Sequence, residues 1–148
     1  MPAAAVHLEL VFSRPETTLA VTRGAARALV DLGHAPLLEV CLPNGRRADV
    51  MALGPKGEIV ICEVKSGIDD FRTDRKWGEY APFCDVFYFA VAPEFPLEAL
   101  PDGPGLIVAD GFGGAVVREA APVPLAPARR KALTLAFARL GAMRSLRE

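Results

Sequence analysis

The chain has 148 residues, of which 51% are hydrophobic and 24% are charged, and its formal net charge at neutral pH is −1. A domain of this length buries about 68–70% of its extended-chain surface, so it can form a core without disulfides or a structural metal. This composition excludes a disordered tail and predicts one globular domain over residues 1–148.

Membrane, export and soft-metal classes are also disfavoured. The longest strongly apolar run, residues 86–92, is far short of the roughly 20 residues that cross a bilayer. No Lys or Arg precedes Arg14, which argues against an export signal. The 3 cysteines and 2 histidines are too few and too widely spaced for a disulfide framework or a zinc site. The sequence therefore predicts a cytoplasmic protein without a membrane partner.

The predicted elements begin with a helix and continue with strands. Ser13 and Glu16 form an S-x-x-E capping box that starts the helix, and Gly33 ends it. Alternating apolar residues and two tight turns then predict three strands joined by hairpins. In chain order, the strands cover about 37–42, 47–53 and 59–65, and they are followed by a polar helix over 69–80, a buried strand over 85–92 and a hairpin near 110–114.

A basic helix closes the chain. Residues 128–148 contain six Lys or Arg residues and one acid, so the rest of the chain is acidic. Its apolar residues recur at helical spacing and predict an inner face formed by Leu133, Ala136, Phe137 and Leu140. A basic helix of this kind fits contact with a polyanion and fits a solvated surface equally well, so it does not indicate a function by itself.

The hairpin between the second and third strands brings charged residues together. A three-residue loop over 55–57 places Asp49 opposite Glu63, with Lys65 on the same face. Ala48 then belongs to the opposite, wholly apolar face with Val50. From the residues alone, an antiparallel meander with helices on both sides is the economical packing.

Two carboxylates at opposing positions of an antiparallel pair repel each other, so their charge needs compensation. Lys65 supplies part of it, and Mg²⁺ or Mn²⁺ would supply more because these ions prefer hard oxygen ligands. A bound cation would polarise a phosphodiester and activate water, while Lys65 would position that water or stabilise charge on phosphorus. The pattern predicts phosphodiester hydrolysis, although this spacing alone is more often a surface salt bridge.

The element order αβββαβ, with Asp49 on the second strand and Glu63-Val64-Lys65 on the third, resembles the PD-(D/E)xK phosphodiesterase superfamily. The sequence of residues 47–96 is similar to the MmcB-like bacterial DNA-repair family. This resemblance implies an α/β, restriction-endonuclease-like fold with a mixed sheet flanked by helices, and a DNA substrate. It implies that Asp49, Glu63 and Val64 hold Mg²⁺ or Mn²⁺ and that Lys65 is catalytic together with the two acids. Ala48 stands where the superfamily pattern has proline, a position without a chemical role.

The polar helix after this motif carries the predicted DNA contacts. Many RecB-like nucleases have Q-x-x-x-Y here, whereas this chain has Lys76 and Tyr80 at that spacing. Arg72, Lys76 and Tyr80 share one helix face at spacings of four. With Arg47 they are predicted to contact DNA, although a solvated helix face explains the same spacing equally well.

A further acid often completes such sites, and Glu16 and Glu39 are the two candidates. The capping box explains Glu16 without a catalytic role. Glu39 depends on register: a two-residue Asn44-Gly45 turn puts it on the face opposite Asp49, and a loop longer by one residue puts it on the same face.

The leading prediction is a metal-dependent deoxyribonuclease acting in DNA repair. The alternatives are a catalytically silent DNA-binding repair module of the same fold and a protein-interaction domain with a structural acidic pair. Retention of Asp49, Glu63 and Lys65 speaks against the silent module. Cutting both strands of a duplex would favour a twofold homodimer.

Overall fold

The computed structural model describes residues 14–67 and 77–147, which form a six-stranded sheet with helices packed against it. The strands follow one another across the sheet in chain order. The elements are α1 (Arg14–Asp31), β1 (Ala35–Cys41), β2 (Arg47–Leu53), β3 (Ile59–Lys65), β4 (Val86–Val91), β5 (Gly105–Ala109), β6 (Gly114–Arg118) and α2 (Pro127–Arg147). Short 3₁₀ turns cover Trp77–Glu79, Ala81–Phe83 and Leu97–Ala99.

The two long helices form as the sequence predicts. Gly33 ends α1 with a φ of 91°, and its amide donates to the Val30 carbonyl at 2.9 Å. Ser13 of the capping box lies outside the described residues. Of the polar helix predicted over 69–80, residues 69–76 also lie outside them, and Trp77–Glu79 is a 3₁₀ turn. No helix within the two described ranges is long and apolar enough to cross a bilayer.

The sheet is mixed, as the resemblance implies, and the antiparallel meander predicted from the residues alone is wrong. β1, β2 and β3 pair antiparallel, but β4 lies parallel to both β3 and β5. β6 then returns antiparallel through the predicted hairpin, whose turn spans residues 110–113. The segment between β3 and β4 is long enough for the crossover that a parallel pair requires.

Alternation along the strands divides the core between the two faces of the sheet. One cluster lies under α1 and includes Val21, Leu29, Val50, Val60, Cys62 and Ala90. The other lies under α2 and includes Met51, Ile61, Phe87, Phe89 and Leu133. Phe137 and Leu140 pack against this second cluster as predicted, whereas Ala136 is exposed. Because both faces are covered, β3 is buried at every position.

Asp85, just before β4, joins β3 to α2. Its carboxylate accepts hydrogen bonds of 2.8 Å from the amides of Ile59 and Leu125. Arg130 of α2 forms a two-pronged ion pair with the same carboxylate, at 2.5 and 2.6 Å. The start of the basic helix is therefore anchored to the sheet through a buried acid.

Along β1 and β2, the side chains switch from one face of the sheet to the other at Glu39 and Asp49, which do not pair with each other. The pairs on either side are Leu38 with Val50, and Val40 with Ala48. The first pair packs with the cluster under α1 and the second with the cluster under α2. Regular alternation would keep both pairs on one face. The predicted placement of Ala48 beside Val50 is therefore wrong.

Gly24 lies where α1 crosses the turn between β5 and β6. A Cβ at this position would lie 2.0 Å from the Asp110 carbonyl oxygen and 2.6 Å from that of Gly113. We therefore expect Gly24→Ala to lower the free energy of unfolding by about 2–3 kcal/mol, although Ala is normally the better helix former by about 1 kcal/mol. Urea denaturation measures this change.

Gly141→Ala in α2 is the matched control. Its added Cβ would lie 3.7 Å from the Leu37 side chain, an ordinary contact. The intrinsic preference of helices for Ala should then dominate and stabilise the protein by up to about 1 kcal/mol. Equal effects of the two substitutions would contradict the close crossing of α1 over the turn.

Candidate metal-binding and catalytic site

Asp49 and Glu63 meet where the β2–β3 ladder ends. Backbone pairing runs in the predicted register, from Leu53 with Ile59 as far as Val50 with Cys62. Beyond that point side chains replace the ladder: the Val64 amide donates to Asp49 Oδ2 at 2.8 Å, and the Asp49 amide donates to Glu63 Oε1 at 3.2 Å. The two carboxyl groups are close enough that each changes the pKa of the other. The acids therefore converge as predicted, but through their side chains.

Burial determines the protonation of this acid pair. The pKa of Glu63 rises to about 8, first because the group is buried and then because of the charge on Asp49. Burial also raises the pKa of Asp49, against the opposing effects of the Val64 amide, the neighbouring Glu63 carboxyl and the nearby Lys65 and Arg47. Without a cation, Glu63 therefore keeps a proton at neutral pH.

Lys65 lies close to both acids. The residue is only 4% exposed, and its charge lowers the pKa of both Asp49 and Glu63. Because β3 is buried along its whole length, the nearby carboxyl groups offset the cost of burying an ammonium at this position. The structure thus brings the three predicted catalytic residues together at the end of a buried strand.

The oxygen atoms of this site suit a hard divalent cation. Asp49 and Glu63 offer carboxylates, and Val64 can offer only its backbone carbonyl because its side chain is a hydrocarbon. Mg²⁺ is commonly held by one or two carboxylates, completed by water and substrate phosphates. Within residues 14–67 and 77–147 no three His, Cys, Asp or Glu residues form a metal-binding group. The donors present fit Mg²⁺ or Mn²⁺ and do not fit a structural zinc site.

Neither candidate for an additional acid joins the pair. The β1–β2 register is that of the longer loop, because the Leu42 amide donates to the Arg46 carbonyl at 2.7 Å. Glu39, however, has a φ of 52° and an exposed side chain. Glu16 is exposed in the first turn of α1. Among the described residues, therefore, neither Glu16 nor Glu39, which the sequence left open as candidates, completes a three-acid group.

The predicted DNA-contacting residues have different outcomes. Arg72 and Lys76 lie outside the described residues. Arg47 is exposed, and its charge lowers the pKa of Asp49, which places it near the acids. Tyr80 is a correction: it is 7% exposed, and its ring stacks on Phe87 with 5.9 Å between ring centroids. The spacing argument fails for Tyr80 because the preceding residues form a 3₁₀ turn rather than a continuous helix.

Two sets of contacts around the site were not predicted. Arg46 pairs with Glu79, and Asn44 Nδ2 donates to the Glu79 carbonyl at 3.1 Å, so the β1–β2 turn is tied to the segment after β3. Arg144 of α2 contacts the β1 backbone. A signal for Arg144 existed, since it continues the helical spacing of Phe137 and Leu140 on the inner face.

We expect Glu63→Gln to stabilise the metal-free protein at alkaline pH. The folded-state pKa is about 8 against an ordinary value of 4.5, so the folded state binds this proton more tightly than the unfolded state. The wild type should therefore lose stability as the pH rises from about 4.5 to about 8, and the variant should lack this loss. The expected gain at pH 8 is about 2–4 kcal/mol.

Urea denaturation in EDTA at pH 5 and pH 8 measures this difference. The stability difference between variant and wild type should grow with pH. Other titrating groups are present in both proteins and cancel in this difference, so its change with pH reports on Glu63 alone. A difference that stays constant over this range would contradict the buried, protonated state of Glu63.

Comparisons with known proteins agree with this fold. The family model described as "DNA repair protein MmcB-like" matches residues 9–147. A solved structure, the SPO1766 protein of unknown function from Silicibacter pomeroyi, is 44% identical with a TM-score of 0.83. The similarity covers 89% of this chain and 92% of the other. No curated protein matches the chain. Because the family match spans nearly the whole sequence, this chain belongs to the family of MmcB-like DNA repair proteins.

Proposed function

We propose that this protein is a metal-dependent deoxyribonuclease that acts in DNA repair. The observation that carries the proposal is the pair of acids Asp49 and Glu63, joined by the hydrogen bond from the Asp49 amide to Glu63 Oε1, with Lys65 beside them at the end of a buried strand. The fold and the placement of these residues are consistent with the PD-(D/E)xK superfamily. Membership of a DNA-repair family supports DNA as the substrate.

Each residue of the pair has a separate task in binding Mg²⁺ or Mn²⁺. Asp49 is oriented by the 2.8 Å hydrogen bond from the Val64 amide. Glu63 must release its proton before it can bind a cation, so cation binding and proton release are linked. The bound cation would polarise the scissile phosphate and lower the pKa of an attacking water.

Lys65 is placed to act on the water or on the phosphate. Its buried ammonium group lies beside the two acids, in a site where charge is screened less than in bulk water. It would hold the attacking water or stabilise negative charge that develops on phosphorus. Arg47, exposed nearby, would contact a DNA phosphate, as would Arg72 and Lys76 if they follow the predicted helix.

A silent DNA-binding module is the second candidate function. Its supporting observation is that no third acid joins Asp49 and Glu63 among the described residues. A protein with a weak cation site would retain DNA binding through its basic side chains without turnover. Such binding would weaken as salt rises, by about 0.9 logarithmic units per contacted phosphate for each tenfold increase in salt.

A cleavage panel distinguishes the candidates. Duplex, single-stranded, nicked and branched DNA are each incubated with Mg²⁺, Mn²⁺ or EDTA, and products are resolved on denaturing gels. The nuclease proposal expects cleavage with a cation and none in EDTA. Asp49→Asn should be inactive, and Asp102→Asn, which removes an exposed acid, should keep full activity. Salt-dependent binding without cleavage would support the silent module, and absence of DNA binding would support the interaction domain.

A further inference from the structure

We propose that Arg144 of α2 is a positioning residue for Asp49, and that it acts through the backbone of Glu39 on β1. It would hold β1 in the conformation in which the side chains of β1 and β2 switch faces of the sheet. This conformation directs the Asp49 carboxylate toward β3. The part of this inference that concerns cation binding rests on the proposed function. The part that concerns the position of Asp49 does not.

The contact between Arg144 and β1 has an unusual geometry. Its guanidinium donates to two successive carbonyls, that of Leu38 through Nη1 and that of Glu39 through Nη2, the latter at 2.7 Å. Successive carbonyls of a regular strand point toward opposite edges, so one side chain cannot ordinarily reach both. Here it can, because Glu39 has a φ of 52°, in the left-handed region. The guanidinium therefore binds a backbone shape that an extended strand does not have.

This backbone shape is unfavourable for Glu39 by itself. In the left-handed conformation the Cβ of an L-residue comes too close to the following carbonyl oxygen, which disfavours it relative to ordinary backbone. It persists only where surrounding contacts stabilise it. The planar guanidinium supplies two donors in a fixed arrangement, which a single ammonium cannot reproduce. Arg144 is thus well suited to offset the cost at Glu39.

The position of Asp49 follows from the conformation of Glu39. The two residues occupy facing positions between the pairs Leu38–Val50 and Val40–Ala48, which pack on opposite faces of the sheet. The backbone pairing of β2 with β3 also ends just before Asp49. There the Asp49 carboxylate accepts the hydrogen bond of the Val64 amide instead. If the Glu39 backbone were extended, the side chains of β1 and β2 would alternate regularly between the two faces of the sheet. Asp49 would then return to the ladder and its bond to Val64 would be lost.

Hydrogen exchange at single amides tests this step without any metal. The amides of Asp49 and Val64 are protected by side-chain acceptors of the acid pair. In Arg144→Ala we expect both to exchange at least about tenfold faster, while the amides of Phe89 and Ile107 in the central strands keep their wild-type rates. Arg147→Ala is the matched control because it removes an exposed arginine from the last turn of the same helix.

A rescue variant separates positioning from general damage to α2. Glycine adopts a positive φ without the cost of a Cβ, so Glu39→Gly should restore protection in the Arg144→Ala background to within about twofold of wild type. Glu39→Val, with Arg144 intact, should reproduce the Arg144→Ala effect because a β-branched residue strongly resists this conformation. Glu39→Val alters β1 and leaves α2 unchanged, and the rescue variant adds only a β1 substitution to Arg144→Ala.

Calorimetric titration with Mn²⁺ tests whether the position of Asp49 matters for cation binding. Arg144→Ala should bind Mn²⁺ about tenfold more weakly than wild type, and Arg147→Ala should not. If the wild type itself binds no Mn²⁺, the proposed function fails while the exchange experiment still decides the role of Arg144. The inference is overturned if the Asp49 and Val64 amides exchange alike in the two arginine variants, if the reference amides accelerate equally, or if Glu39→Gly gives no rescue.

Discussion

Lys65→Met is expected to lower the rate of DNA cleavage by about 10³-fold or more while Mn²⁺ affinity stays within about tenfold of wild type. Methionine retains most of the buried hydrocarbon volume of lysine, so the change mainly removes the charge. That charge lies beside the acids but is not itself a cation ligand, because an ammonium group has no lone pair to donate. Binding and turnover should therefore separate in this variant.

The acid variants should behave differently. Asp49→Asn and Glu63→Gln each remove a carboxylate from the pair, so Mn²⁺ binding and cleavage should be lost together. Lys56→Met, in the exposed β2–β3 turn, is the control for loss of a lysine and should keep both properties. Calorimetry and a single-turnover cleavage assay measure the two quantities. Cleavage at the wild-type rate by Lys65→Met would remove Lys65 from the mechanism.

Asp85→Asn is expected to lower the free energy of unfolding by about 2–4 kcal/mol. Asp85 is 6% exposed and accepts hydrogen bonds from Arg130 and from the amides of Ile59 and Leu125. Asparagine offers one acceptor oxygen in place of two and leaves the Arg130 charge without its partner. Urea denaturation at neutral pH measures the loss, and Asp102→Asn is the exposed control.

The pH dependence of this effect has a definite sign. Burial by itself would raise the pKa of Asp85, but the hydrogen bonds from Arg130 and the two amides outweigh it and hold the pKa below 3.8. Because the pKa of Asp85 is lower in the folded than in the unfolded state, its ionised form stabilises the protein at pH values above the unfolded-state pKa. This stabilisation is lost as the pH falls through the folded-state pKa. The difference between wild type and Asp85→Asn should therefore shrink below about pH 3.8. A difference that does not change with acid would contradict the ion pair.

Local patterns predicted most of the elements and the identity of the acids. Alternation and turn residues placed β2 and β3 within about a residue and predicted their register between Val50 and Leu53, because tight turns determine how hairpin strands pair. The same reasoning failed beyond Val50. Regular alternation contains no information about a left-handed residue such as Glu39, so it placed Ala48 on the wrong face and paired Asp49 with Glu63 through the backbone.

The sequence by itself determined the two long helices, the first four strands, the hairpin near 110–114, the family resemblance and the neighbourhood of Asp49, Glu63 and Lys65, because these depend on short-range spacing. Only the tertiary structure decided that β4 lies parallel to β3, that Tyr80 is in the core, and that neither Glu16 nor Glu39 joins the acid pair. It also decided the contacts of Arg130 and Arg144, whose partners lie in distant segments of the chain. Such contacts depend on how separate elements pack, and that packing is set by the whole core rather than by any local pattern.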